Sequence, residues 1–133
     1  MRFASLLLLV GLAAAQSPQY TQVASTKQIM AAIVKPSMDG IGATVKAGGP
    51  KDDKEWEAVQ RNAAILAEAA QLLELGNRPP DHDGWMKSSQ KLQEVAQASA
   101  KAAQAKDAEA LKAAAGNIGG SCKGCHSVYR KKA

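Results

Sequence analysis

The sequence predicts an all-α protein, an antiparallel up-down-up-down four-helix bundle that follows a cleaved signal peptide. Strong helix formers, mainly Ala, Leu, Lys, Glu and Gln, dominate the chain after its first residues. Turn residues divide this part into four segments, and none of them shows the alternating β-branched pattern of a strand. Apolar side chains recur within the segments at helical spacing, which indicates helices that bury one face against each other.

The start of the chain has the layout of a secretory signal peptide. Arg2 supplies the positive charge, residues 6–12 form a short apolar run, and residues 13–15 form a small-residue cleavage site. The apolar run is too short to cross a bilayer, and no second run follows it. We therefore expect a signal peptide over residues 1–15 and a periplasmic mature domain over residues 16–133 without a membrane span. A buried N-terminal helix is the alternative.

The first helix of the bundle is expected to run from about Tyr20 to Ala47. Pro36 has no amide hydrogen and Gly40 is a weak helix former, so both are expected to kink or interrupt this helix. The Gly-Gly-Pro sequence at residues 48–50 then ends it.

Three further helices follow, each bounded by residues that favour helix starts or stops. We expect the second helix over residues 52–75, a Pro- and Asp-rich loop over residues 78–84, the third helix over residues 85–106, and the fourth, capped by Asp107, up to about Arg130. Because the connections are short, neighbouring helices are expected to be antiparallel.

Two of the helices carry a clear inward-facing stripe. In the second helix, apolar residues recur every three or four positions at Trp56, Val59, Ala63, Leu66, Ala70 and Leu73. In the fourth helix, the same spacing joins Leu111, Ala115, Ile118, Cys122, Cys125 and Tyr129. This spacing places the side chains of each set on one helix face. Both cysteines of the chain are therefore expected to face the bundle core.

Cys122, Cys125 and His126 form the C-x-x-C-H motif that attaches haem covalently. Two thiols at this spacing reach the two vinyl groups of one porphyrin, and the adjacent imidazole meets the iron as its proximal ligand. We therefore expect one covalent haem c, held by thioether bonds from Cys122 and Cys125, with His126 bound to the iron.

Other uses of the two cysteines fit the sequence less well. A structural zinc site needs four ligands, whereas His82 is the only other histidine and the chain has no further cysteine. A thioredoxin-like redox pair expects a βαβ context, which the helical pattern does not offer. A disulfide within the helix would leave His126 and the inward position of the thiols unexplained.

The order of these motifs resembles the class II c-type cytochromes, which comprise the cytochrome c′ family and its low-spin c-556 relatives. The run from Cys122 to Arg130 resembles the end of the family's last helix, Thr26 to Met30 its first-helix ligand region, and Gly84 to Met86 the start of its third helix. The similarity spans the mature chain. It implies a haem protein that transfers electrons rather than converting a substrate, with periplasmic redox proteins as partners. It also implies a possible homodimer, because many relatives dimerise through their first two helices.

The second axial ligand of the iron decides the function. Met30 lies about ten residues into the expected first helix, roughly 15 Å along its axis, which matches the depth of His126 in the antiparallel fourth helix. Met86 and His82 share that level at the start of the third helix, whereas Met38 is expected to lie too far down the bundle. Core filling is the alternative role for Met30.

The resemblance favours Met30, because the low-spin relatives carry their ligand methionine in the matching segment. Ligation by His126 and Met30 implies six-coordinate iron, which suits outer-sphere electron transfer. Cytochromes c′ proper usually carry an apolar residue at this position, and many carry an Arg four residues earlier, where this chain has Thr26. The alternative function is therefore a five-coordinate haem protein that binds NO or CO.

Three further residues are candidate haem contacts. The resemblance suggests that Arg130 lies near the haem edge or a propionate, and a solvated cation at the helix end is the alternative. Trp85 begins the third helix at the haem level and Tyr129 continues the inward stripe, so both are expected to pack on the porphyrin. Ordinary core packing is the alternative for Trp85. His82 is expected to be a solvated loop residue, and Asp81 is expected to be a loop former.

Composition and charge restrict the class of partner. The net charge is +5, and loss of Arg2 with the signal peptide lowers it by one. Aromatic residues make up only 4% of the chain, too few for stacking on bases, so nucleic-acid binding is unsupported. The mild positive charge suits docking to an acidic redox partner.

Overall fold

The structure, a computed structural model, describes residues 19–130. Four helices in this range pack as a bundle, which confirms the predicted fold class. The predicted signal peptide lies outside the described residues, so the cleavage site stays a prediction. Within residues 19–130, no helix has both the length and the apolar content that crossing a membrane would require.

The four helices are α1, which consists of the consecutive segments Thr26–Ile29, Met30–Val34 and Lys35–Lys46, then α2 (Asp53–Leu72), α3 (Asp83–Gln104) and α4 (Ala108–Tyr129). The middle segment of α1 is a π-helix, and all the other segments are α-helical. The connections between the helices are short, as an up-and-down bundle requires.

Helix α1 begins at Thr26, so the predicted start at Tyr20 is wrong. Ser25 caps the helix, because its hydroxyl accepts the Gln28 amide at 3.2 Å while the Gln28 side chain accepts the Ser25 amide at 2.9 Å. This reciprocal arrangement is a capping box, which satisfies two amides at the helix start. Residues before Ser25 are non-helical.

The predicted interruption of α1 takes the form of a π-helical turn immediately before Pro36. The Lys35 amide donates to the Met30 carbonyl, five residues back, where an α-helix would bond four residues back. Pro36 has no amide hydrogen and its ring crowds the preceding turn, so the wider turn lies where a regular helix would be most strained. Gly40 does not interrupt the helix, which continues to Lys46.

The boundaries of the other helices follow their capping residues. Asp52 accepts the Glu55 amide at 2.8 Å and Asp107 accepts the Ala110 amide at 2.9 Å, each at a helix start as predicted. Helix α2 ends three residues before the predicted end, and Gly76 follows with a positive φ of 69°, a conformation that glycine adopts without steric cost.

The core lies along the inner faces of all four helices. The predicted stripe of α2 is confirmed: Val59, Ala63, Leu66, Ala70 and Leu73 are buried, and Trp56 is half-buried against them. In α4 the fully buried residues are confined to its first half, where they are Leu111, Ala114 and Ile118.

Arg78 holds the segment before α1 against the end of α2. Its guanidinium is buried and donates to the carbonyls of Leu72 and Ala24, each at 2.8 Å, and of Leu75 at 3.2 Å. It also lies 5.5 Å from the centre of the Tyr20 ring. These contacts bring the start of the described chain to the end of the bundle at which α2 ends.

Candidate haem site

The C-x-x-C-H motif lies on the last two turns of α4. The Cys122 and Cys125 thiols are half-buried and free, whereas the His126 side chain is exposed. Cys122 faces α1, with its Sγ 3.7 Å from the Met38 sulfur. Cys125 lies on the α3 side, close to Ser88. The two thiols thus occupy the inward face of α4, as the stripe predicted.

The surroundings of the thiols raise their pKa values. Burial raises the pKa of Cys122, and the neighbouring Cys125 adds to the rise. Burial also raises the pKa of Cys125, although a hydrogen bond from Ser88 opposes the rise. Both groups are therefore protonated near neutral pH, which makes them weak nucleophiles in the folded chain.

The space beside the motif suits a planar apolar group. A groove of about 440 Å³ separates α1 from α4 next to Met38, and its walls include Ile41, Gly42, Ala115 and Gly119. From Gly119 to Arg130, no residue is buried. Two inward thiols, an unhindered imidazole and a mainly apolar groove that ends three residues before Cys122 together fit a porphyrin attached to this face of α4.

The two methionines of α1 lie on either side of the His126 level. Because α1 and α4 are antiparallel, moving four residues from Cys122 to His126 corresponds to about 6 Å along α1, from Met38 towards Met30. Met30, eight residues from Met38, lies about 12 Å away along the same axis. Met30 is half-buried and packs against the core.

Met38 does not lie too far down the bundle, and that prediction is wrong. Its sulfur contacts Cys122, the first residue of the motif. The error follows from the predicted helix start at Tyr20, six residues before the observed start at Thr26, which overestimates every depth along α1 by about 9 Å. Met30 stays the predicted distal ligand, and Met38 is a second thioether near the motif.

Trp85 and Tyr129, both predicted haem contacts, lie together beside the motif. Their ring centres are 5.1 Å apart in an edge-to-face arrangement. The buried Trp85 indole donates to the Leu73 carbonyl at 2.7 Å. The Tyr129 hydroxyl donates to an Asp81 carboxylate oxygen at 2.6 Å. The two rings therefore join α4 to the start of α3 and the end of α2.

Asp81 forms the loop before α3, as the sequence predicted, and also bonds to α4. Its other oxygen accepts the amides of Gly84 at 2.8 Å and Trp85 at 3.1 Å. The Tyr129 hydrogen bond, followed by the Trp85 amide, lowers the pKa of Asp81. The same bond raises the pKa of Tyr129 to about 12. No local pattern predicts this pair, because 48 residues separate its members.

The remaining candidates lie at the surface or near it. Arg130 is exposed, and its backbone amide donates to the His126 carbonyl at 3.2 Å. His82 is exposed, with Nδ1 3.5 Å from the exposed Asp83 carboxylate, as expected for a solvated loop residue. Met86 is half-buried in the first turn of α3.

Comparison with known proteins identifies one family. The family described as Cytochrome C′ matches residues 21–130, a range that includes all four helices and the C-x-x-C-H motif. A search of curated proteins and a search of solved structures each found no match.

Proposed function

The chain belongs to the cytochrome c′ family, and from that premise we propose that it is a periplasmic electron carrier with one covalent, low-spin haem c. Family membership implies the covalent haem, and the Cys122–Cys125 pair is present to hold it. The haem supplies one-electron chemistry at its iron. In this proposal Cys122 and Cys125 form the thioether bonds, and His126 and Met30 bind the iron.

The observation that carries the proposal is the position of Met30. It is a half-buried thioether on α1 that packs against the core, about 6 Å along the helix axis from the His126 level. A thioether ligand opposite an imidazole favours low-spin iron and raises the reduction potential. Filling both axial positions leaves none for a gas, which favours electron transfer.

The surface around the motif supports an acidic redox partner. From Ala110 to Arg130 the chain carries Lys112, Lys123 and Arg130 and no acidic residue. Val128, two residues after His126, is 71% exposed and offers an apolar contact on another side of the same helix end. A basic surface of this kind steers an acidic protein towards the motif and weakens with added salt.

The test is the visible spectrum of the reduced haem protein with and without CO. We expect a low-spin spectrum that CO does not change. Met30→Leu removes the sulfur while keeping the volume, so it should produce high-spin iron that takes up CO. Met38→Leu is the matched control on the same helix and should keep the low-spin spectrum.

Two outcomes would contradict the proposal. CO uptake by the unmodified protein would assign the gas-binding function instead of electron transfer. High-spin iron in Met38→Leu, with low-spin iron in Met30→Leu, would make Met38 the distal ligand.

A further inference from the structure

Asp81 connects two elements of the haem site that are otherwise distant in the chain. One carboxylate oxygen accepts the Tyr129 hydroxyl at 2.6 Å, and the other accepts the Gly84 and Trp85 amides at the start of α3. Tyr129 is the last residue of α4 and follows His126 by three positions, which is less than one helical turn. A single side chain therefore joins the α3 start to the turn that carries the haem ligand.

Gly84 lies directly against the Tyr129 hydroxyl. A Cβ atom at position 84 would overlap that hydroxyl, so the glycine leaves room for it. The edge-to-face packing of Trp85 on the Tyr129 ring fixes the ring from a second side. The position of Tyr129 is thus defined by one hydrogen bond and one aromatic contact.

The last turn of α4, after Cys125, has little else to hold it. No residue from Gly119 to Arg130 is buried, and Val128 is 71% exposed. The last hydrogen bond of the helix joins the Arg130 amide to the His126 carbonyl. Because terminal turns open readily, the backbone of His126 would fray without a contact that retains Tyr129.

We infer that Asp81 is a positioning residue, which through the Tyr129 hydroxyl fixes the last turn of α4 and with it the orientation of the His126 imidazole. The inference rests on the proposed function only in that His126 binds the haem iron. It holds whether the distal position is filled by Met30 or open to a gas.

The experiment compares three variants of the holoprotein. Tyr129→Phe removes the hydroxyl and keeps the ring on Trp85, and Asp81→Asn replaces the charged acceptor while keeping a side chain that caps α3. Asp83→Asn is the matched control, because it makes the same change of charge two residues away, at a side chain that is 94% exposed. The measurements are the NMR shifts of the His126 ring protons in the oxidised protein, the reduction potential, and hydrogen exchange at the Arg130 amide.

Tyr129→Phe should shift the His126 ring signals, change the reduction potential and speed Arg130 exchange about tenfold, the effect expected for loss of one charge-assisted hydrogen bond. Asp81→Asn should act in the same direction, and Asp83→Asn should leave all three measurements unchanged. If Tyr129→Phe does not retain haem, Asp81→Asn carries the test.

Unchanged His126 signals and potential in both Tyr129→Phe and Asp81→Asn would overturn the inference, even if the proteins were less stable. An equal effect in Asp83→Asn would also overturn it, because charge alone would then explain the shift. CO uptake by the unmodified protein would reject the electron-transfer proposal and leave the inference about Asp81 intact.

Discussion

The two halves of helix α4 are held in different ways. In the first half, Leu111, Ala114 and Ile118 are buried in the common core. In the second half, no residue is buried, and the inward positions are occupied by the half-buried Cys122 and Cys125. One stripe of residues therefore continues along the whole helix, buried in its first part and only half-buried, at Cys122, Cys125 and Tyr129, in its second.

This difference predicts which half of α4 folds without haem. Leu111 and Ile118 of the first half belong to the shared apolar core, and α3 and α1 are the helices that pack against α4, so this half needs no added group. The groove beside Met38 meets α4 at Ala115, Ile118 and Gly119, where the two halves join, and a bound porphyrin would add apolar contacts to the half-buried thiols that follow. We expect the first half to be stable without haem and the second half to depend on it.

Removing both attachment points should have the largest effect. In Cys122→Ser with Cys125→Ser, no covalent haem should remain, since both thioether bonds are lost. The helical circular dichroism of the bundle should largely persist, because the core of α2, α3 and the first half of α4 is untouched. Mass spectrometry of the peptide that contains the motif and far-ultraviolet spectra measure the two effects.

Ser121→Ala is the control for that experiment and should keep both the haem and the helices. A general loss of helix in the double variant would show that the first half of α4 also needs the cofactor. The contrast between the two halves would then disappear.

Truncating the shared core should have the next largest effect. Leu66 is fully buried, so Leu66→Ala should lower the free energy of unfolding by about 3 kcal/mol through the cavity that it leaves. The loss should be similar in the haem-bearing protein and in the double serine variant, because the cavity lies in the part that folds without haem. Urea unfolding followed by circular dichroism measures it.

Ile65 is the neighbouring control, because it has a large apolar side chain that is 43% exposed. Ile65→Ala should cost less than about 1 kcal/mol. If Leu66→Ala and Ile65→Ala lowered the free energy of unfolding equally, the buried core would not be the source of the stability of the first half of α4.

The smallest expected effect is a pH response confined to the last turn of α4. The folded-state pKa of Tyr129 is raised to about 12, mainly by its hydrogen bond to Asp81. The stabilisation of the last turn by the Tyr129 hydroxyl is therefore present below pH 10 and is lost as the pH rises through about 12. The pKa of Asp81 is lowered from 3.8. The stabilisation of the last turn by the ionised Asp81 carboxylate is therefore present above pH 3.8 and is lost as the pH falls through the folded-state pKa.

The measurement is the pH dependence of the Tyr129 ring carbon bonded to oxygen, observed by NMR, with the signal assigned by its loss in Tyr129→Phe. Protection of the Arg130 amide, measured from its exchange rate relative to that of an unstructured chain at the same pH, should fall at both extremes in the unmodified protein and show no alkaline step in Tyr129→Phe. A Tyr129 midpoint near 10 would show that the hydroxyl is not bonded to Asp81 in solution.

Most of the fold could be predicted because its signals are local. Helices α2, α3 and α4 could be located to within three residues, because their boundaries are marked by the caps Asp52 and Asp107 and the stop at Gly76. The start of α1 was missed although a local signal exists, since Ser25 and Gln28 stand at capping-box spacing. The segment from Tyr20 to Ser25 contains no Gly or Pro that would rule out a helix, whereas the contacts of Tyr20 and the Ala24 carbonyl with Arg78 oppose one.

The candidate site was predicted in its chemistry and only partly in its geometry. The C-x-x-C-H motif is a local pattern whose spacing has a chemical reason. The sequence alone therefore identifies Cys122, Cys125 and His126 as the candidate haem-binding residues. The contact between Cys122 and Met38 depends on where α1 begins, and the bond between Tyr129 and Asp81 depends on how two helix ends meet. Neither is encoded in a short stretch of sequence.

The π-helical turn at Met30–Val34 has a consequence for comparing this chain with its relatives. A hydrogen bond that spans five residues places one more residue in the turn than an α-helix does. An alignment with a relative that lacks the turn therefore needs a one-residue gap in this segment. Without the gap, every residue of α1 before the π-helical turn is aligned one position away from its structural equivalent. Its side chain is then assigned a direction about 100° away around the helix axis.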